Sequence, residues 1–418
     1  MGVLRLLREN AEIIRARLGG EVVVRRVLAK EKAKARPQDL DLSILTFDAE
    51  AILGDPEVDV FVEVIGGEEP AGSYVRRALS AGRPVVTANK ALLAARGHEL
   101  FEIAESKGAD LYFEAAVAGS IPVIRTLREA LAAERVTAVV GIVNGTSNYV
   151  LTRMTEDGMG FADAVRGAQE RGFAEADPAL DVGGHDAAHK LAILAMLAFG
   201  TRVHLDRIHV EGIENLSGSD VALAGRFGYV VKSLAIGRDH GDDIELRVHP
   251  TLVPANHVIA GVRDQYNAVY LEGPSLGSLL LSGHGAGSLP TAVSVVSDIV
   301  DLARNVFGGS AGRVPARAAP GAALRERPIR PMDDVQSRYY LRVSCGDQPR
   351  TLARITDALG SHEIVVEQLV QEPHAGGVHL AMTTRIVREK NVRSAAMEID
   401  ALTVVTEPTR VLRIDLWE

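Results

Sequence analysis

The stretch VDVFVEVI, residues 58–65, is apolar at almost every position over the length of one strand and ends at Gly66 and Gly67. A strand with one solvated face alternates, whereas a near-continuous apolar run marks a parallel strand buried on both faces. The chain then keeps a regular rhythm. A helix is expected over 71–82, a strand over 84–87, a helix over 91–107 and a strand over 110–114. Strands alternating with helices at this spacing make βαβ units and a doubly wound sheet, which places the chain in the α/β class. Upstream, 3–17 reads as an amphipathic helix with Val3, Leu6, Leu7, Ile13 and Ile14 on its apolar side, and EVVVRRVLA (21–29) reads as a β-branched strand. Residues 30–46 are polar, carry Pro37 and read as a loop closing in a short strand; 50–54 is a short helical piece. In such sheets ligands bind at the carboxyl ends of strands. Three ends line up: Gly66 and Gly67; Thr87, Ala88, Asn89 and Lys90; and the segment 114–119.

The pattern changes after 120. A helix (121–134) leads to a strand (137–143) and then to NGTSN (144–148), where Ser147 or Asn148 can cap the next helix. Residues 228–282 hold several strands, and GHGAG (283–287) opens an apolar helix over 289–305. This middle region reads as a sheet covered by helices. Residues 308–335, rich in Gly, Ala, Pro and Arg, read as a linker, and 338–416 as a separate βαββαβ module. A length of 418 residues suits such a division into two or three domains.

Between these parts lies GFAEADPALDVGGHDAAHK, residues 172–190. It places Glu175, Asp177, Asp181, Asp186 and Lys190 just before the run LAILAMLAFG. That run is apolar nearly all round, so the helix has protein on most sides. Asp186 and Lys190, four apart, share one helix face. They are either a salt bridge at a helix start or a paired, chemically active lysine.

Composition removes several function classes. A net charge of −9 argues against general nucleic-acid binding, which needs a basic surface. No run approaches the eighteen or so apolar residues of a membrane span, and the first residues carry charges where a signal peptide would be apolar. The single cysteine, Cys345, rules out an intramolecular disulfide and a cysteine-based zinc cluster. The cytoplasm is the expected compartment.

The runs TANKALL, EAAVAGSIPVI, GIVNGTSNYVLTRM, EADPALDVGGHDAAHKLAILA and GHGAGSLPTAVSVVSDI, in this order, together resemble homoserine dehydrogenase over nearly the whole chain. The C-terminal module resembles an ACT domain, an amino-acid-sensing unit. The resemblance implies a Rossmann-like nucleotide-binding domain (1–120), an α+β catalytic and dimerisation domain (121–307), a linker (308–335) and an ACT-like regulatory domain (336–418). It implies an oxidoreductase that interconverts L-homoserine and L-aspartate 4-semialdehyde in threonine, methionine and isoleucine biosynthesis. By match to the family motif Lys190 moves the proton and Asp186 positions and tunes it, while Glu175, Asp181 and Asp186 hold the substrate. Carboxylates are natural partners for a substrate ammonium. Lys90, with Thr87 and Asn89, lies beside the nicotinamide end of the cofactor, and Gly172 and Gly285 match positions where backbone approaches it. Glu114, Val117, Gly119 and Ile121 match a sodium site built from oxygens. Arg25, at the end of the second strand, suits the 2′-phosphate of NADP, with NAD left open. The family implies a homodimer or homotetramer and an amino-acid effector at the ACT-like domain.

Two departures accompany the match. The family begins with a strand and a Gly-x-Gly-x-x-Gly turn, whereas this chain starts inside the following helix. A truncation is therefore expected, with two buried strand edges unpaired and weak NADPH binding by the 418-residue chain. A non-catalytic relative acting as an amino-acid-sensing or assembly protein is the alternative. In the ACT-like turn, Asp347, Gln348, Pro349 and Arg350 place an arginine where the family has glycine.

Overall fold

The computed structural model describes residues 1–30, 41–319, 321, 324–374 and 376–415. Pro37 and most of its polar loop lie outside the described residues. The nucleotide domain carries two separate parallel sheets. One pairs β1 (Val27–Leu28) with β2 (Leu45–Thr46); the other has the order β3 (Phe61–Glu63), β4 (Val85–Thr87), β5 (Leu111–Tyr112). Register puts Glu63 beside Thr87, so the two carboxyl ends are level.

The two strand edges expected to be unpaired belong to β1 and β3, and the expectation that 58–65 is buried on both faces is corrected here. No strand joins β1 to β3 among the described residues, and a slot of about 430 Å³ runs between them. Val22, Val24, Val60 and Val62 are among its walls. Val62 is 39%, Val64 58% and Ile65 51% exposed, because a parallel strand is covered only where a neighbour pairs with it. The predicted strand over 21–29 shrinks to β1 for the same reason. The first helix breaks at Asn10 into Gly2–Glu9 and Ala11–Leu18. The helix expected over 121–134 is Val123–Arg125 followed by a wide turn, Thr126–Ala130.

The catalytic region is built on β6 (Ala138–Ile142), β7 (His209–Val210), β8 (Tyr229–Asp239), β9 (Ile244–Pro254), β10 (Tyr266–Gly273) and β11 (Gly277–His284). The helix His185–Phe199 lies on this sheet. Its Leu191, Leu194 and Ala195 share one core with Val139, Ala235, Leu246 and Val248. Gly184 starts that helix and Gly200 ends it, both in the left-handed conformation. The helix Ser288–Gly308 returns to the nucleotide domain, packing Val295, Ile299 and Leu302 against Val86 and Tyr112.

The ACT-like unit has the expected order: β12 (Gln336–Cys345), helix Thr351–Ser361, β13 (Val366–His374), β14 (Gly377–Thr384), a short β15 (Val387–Arg388), helix Glu389–Asp400 and β16 (Arg410–Ile414). It is not separate from the catalytic region. β16 pairs in parallel with β9, Arg413 opposite Thr251 and Ile414 opposite Leu252, giving one sheet in the order β11-β10-β6-β8-β9-β16-β12-β14-β13. Leu412, Ala381 and Tyr340 of the ACT-like unit also share a core with Val150, Leu151 and Val231.

Candidate active site

Asn144 follows β6 and caps the helix Gly145–Glu156, its Oδ1 accepting from the Ser147 N–H at 2.8 Å. Capping uses one end of the carboxamide. The other end, Nδ2, donates to Asp181 Oδ1 and to Asp186 Oδ2, each at 2.8 Å. The Ser147 hydroxyl donates to the Asp181 carbonyl at 2.9 Å. One turn of helix after Asp186, Lys190 Nζ donates to Asp186 Oδ2 at 2.7 Å and to the Val143 carbonyl at 2.6 Å. Lys190 is 9% exposed, and its third N–H has no partner among the described residues. From the nucleotide domain, Lys90 Nζ reaches within 3.3 Å of Asp186 Oδ1. Burial alone would raise the Asp186 pKa. The Lys190 and Lys90 charges, with the hydrogen bonds from Lys190 and Asn144, overcome that and hold the carboxyl well below the usual range. The site thus keeps an ionised carboxylate under two ammonium groups from two domains.

The nucleotide-side rim is held from below. Buried Glu63 accepts from the Ile65 and Gly66 N–H groups at 2.6 and 3.2 Å and from the Thr87 hydroxyl at 2.6 Å. Asn89 caps the helix Lys90–Lys107 through the Leu92 N–H, and its Nδ2 donates to the Gly67 carbonyl at 2.6 Å. Gly285 belongs to a tight crossing: a Cβ there would meet the Asn267 side chain at 2.0 Å, and one on Gly119 would meet the Gly285 carbonyl oxygen at 2.5 Å. Gly172 turns the chain at φ 74°, just before Phe173, whose carbonyl accepts from Thr146 Oγ1 at 2.6 Å.

A homoserine dehydrogenase of Neisseria gonorrhoeae is 41% identical over 416 residues, covering 99% of this chain and 95% of that protein. The chain belongs to the homoserine dehydrogenase family. Family models agree: "Homoserine dehydrogenase, NAD binding domain" matches residues 1–114, "Homoserine dehydrogenase" 122–300 and "ACT domain" 339–403. A crystal structure of a homoserine dehydrogenase from Thiobacillus denitrificans superposes with a TM-score of 0.93 at 43% identity, covering 99% of this chain and 95% of that one. A hyperthermophilic archaeal homoserine dehydrogenase in complex with NADPH shares the fold (TM-score 0.61, 24% identity, 72% of this chain and 93% of that one). The protein is accordingly an oxidoreductase that interconverts L-homoserine and L-aspartate 4-semialdehyde, with an NAD(P)-binding domain and an ACT domain. No helix among the described residues is long and apolar enough to cross a membrane.

Lys190, Asp186, Asp181 and Lys90 are brought together, and Thr87 and Asn89 stand under the rim beside them. Other expected residues lie elsewhere. Glu175 is exposed on its loop, and its carboxylate has no partner among the described residues. Arg25 lies before β1 rather than at a strand's carboxyl end. Its guanidinium pairs with Asp55 at 2.9 Å and with Glu57. The Glu114 carboxylate accepts from the Ile124 and Arg125 N–H groups, both at 2.8 Å, and the Gly119 carbonyl accepts from the Ser294 hydroxyl at 2.8 Å. A carboxylate aimed at two N–H donors anchors a helix start, and these hydrogen bonds are what holds Glu114 and Gly119 in this structure.

Asn144 and Glu63 were not singled out from sequence. The cap expected at Ser147 or Asn148 is Asn144, three residues before Ser147. It stands as the first polar residue after the apolar run 138–143, at a strand's carboxyl end. Glu63 is an acid inside an apolar strand, and a buried acid requires partners.

Proposed function

We propose that Lys190 carries the proton in this enzyme's reaction. The observation behind this reading is a buried ammonium fixed at two of its three N–H groups, by Asp186 and the Val143 carbonyl, with the third unclaimed among the described residues. In the reductive direction that N–H protonates the aldehyde oxygen as charge develops on it, leaving a neutral amine; in the oxidative direction the neutral amine of Lys190 takes the proton from the homoserine hydroxyl and becomes the ammonium again. Asp186 keeps Lys190 aimed and, with Asp181 and Glu175, binds the substrate ammonium. A bound nicotinamide cofactor supplies or accepts the hydride. Lys90, Gly172 and Gly285 form its nicotinamide-side wall, and Thr87 and Asn89 support that wall from beneath.

The cofactor proposed is NADP, with NAD as the alternative; the NADPH complex of the archaeal relative supports it. Arg25 adds nothing to that preference while Asp55 and Glu57 hold it. No step runs through a sodium ion. The reading extends to a cytoplasmic homodimer or homotetramer and an amino-acid effector at the ACT-like turn. Arg350 occupies that turn at φ 72°, a conformation that favours glycine, so threonine inhibition is expected to be weak.

The test is NADP reduction by L-homoserine beside L-serine and L-threonine, with parent and Lys190→Ala enzymes. Reduction with homoserine alone, abolished in Lys190→Ala while NADPH titrates normally, is the expected result. Full activity in Lys190→Ala would remove the assignment.

A further inference from the structure

The ACT-like unit reaches toward the substrate side of the site through one arginine. Arg413 on β16 is 5% exposed and grips two carboxylates. Its NH1 and NH2 donate to Glu211 Oε2 and Oε1 at 2.6 and 2.8 Å, a two-pronged pair. Its Nε and NH2 donate to Glu389 at 2.9 and 2.5 Å. Glu389 opens the ACT-like helix Glu389–Asp400, whereas Glu211 directly follows β7 in the catalytic region. The His209 ring nitrogen also lies 2.8 Å from Glu211 Oε1.

Residues 211–213 lie against the turn that begins the catalytic helix. The Glu211 N–H donates to Val248 O at 2.8 Å, and the Ile213 N–H donates to Val182 O at 2.8 Å. A Cβ on Gly212 would stand 2.6 Å from Val182 O, and one on Gly184 would stand 3.4 Å from Glu211 O. Backbone this close transmits displacement, since neither side has space to absorb it. The turn at 182–184 joins Asp181 to His185 and Asp186, so its position sets the spacing of the two carboxylates that Asn144 bridges.

We propose that the Arg413–Glu211 pair is a positioning device for the substrate carboxylates. It holds residues 211–213 against the 182–184 turn and so fixes Asp181 relative to Asp186. Neither residue touches substrate. The proposal rests on the reading above that Asp181 and Asp186 bind the substrate.

The experiment uses the full chain and separates the two substrates. Glu211→Gln keeps the side-chain shape but turns an N–H₂ toward Arg413. It is expected to raise the homoserine KM about tenfold and to leave the NADP KM within about twofold, as a sub-ångström misplacement of binding groups does. Glu389→Gln is the control, because it removes the charge and one acceptor oxygen of Arg413's other partner without touching 211–213. It should lower the thermal midpoint comparably and leave the homoserine KM within about twofold. Arg413→Lys, which keeps the charge but loses the two-pronged grip, should move the homoserine KM in the same direction and stands in if Glu211→Gln does not fold. An unchanged homoserine KM in both Glu211→Gln and Arg413→Lys overturns the proposal. So does an equal shift in Glu389→Gln. Asp181→Asn and Asp186→Asn are measured alongside; if both leave the homoserine KM unchanged, the site assignment fails and this inference with it.

Discussion

On the side of the cleft carried by the large sheet, Lys190, Asp186, Asn144 and Asp181 hold one another through part-buried hydrogen bonds of 2.7 to 2.8 Å. On the nucleotide side, β1 and β3 face each other across an apolar slot, and Arg25 is engaged by carboxylates at the surface. At the rim of that side the Glu63, Thr87 and Asn89 network supplies the order. The substrate half is thus preorganised by its own side chains, and the rim of the nucleotide half draws its order from buried Glu63. Preorganisation matters because groups fixed before the reaction need no reorganisation during it. A mutation in the substrate half should therefore appear in the chemical step, and one in the nucleotide half in cofactor binding.

The largest expected effect is that of Lys190→Ala. Losing a positioned proton donor should lower kcat by roughly 10³-fold, with NADPH affinity nearly unchanged. Equal losses in kcat and NADPH affinity would erase the contrast between the halves. Asn144→Ala comes next. It removes a helix cap and the bridge between two carboxylates, so unfolding should become easier by about 1–2 kcal/mol and kcat/KM for homoserine should fall well beyond what stability accounts for. Urea titration beside steady-state kinetics separates the two. Glu63→Gln places an amide against backbone N–H groups at the nucleotide rim. The NADP KM should rise roughly tenfold while the homoserine KM stays close to the parent, the mirror image of the Lys190 result. The smallest effect belongs to Arg25→Ala. A half-exposed ion pair contributes about 0–1 kcal/mol, so the preference for NADP over NAD should move less than about threefold. A large swing toward NAD would return Arg25 to the 2′-phosphate site.

Much of the substrate half was legible in the chain. Asp186 and Lys190 are four apart on a helix whose apolar residues encircle it, and a helix conserves that spacing in space. Their pairing follows from local geometry. Asn144 was hidden because its two carboxylate partners lie far along the chain; Asp186 is 42 positions away. Arg25 was misplaced for a related reason. Its strand needs a partner on each side, and with β2 as its one partner among the described residues, the chain becomes a strand at Val27, beyond the arginine. The same argument explains 58–65, where pattern promised burial on both faces and pairing covered one.

The sequence alone determined the order of the domains, the βαβ rhythm of the first, the apolar helix after the acidic loop, and the strand order of the ACT-like unit. All of these depend on neighbours within a turn or a strand, where spacing in sequence is spacing in space. Tertiary structure decided the rest: Lys90 crossing from one domain to Asp186 of another, β16 extending the catalytic sheet, and Arg413 reaching Glu211. Those contacts join residues that no period relates, and they exist only because packing two layers together brings separate charges into one buried place where each needs a partner.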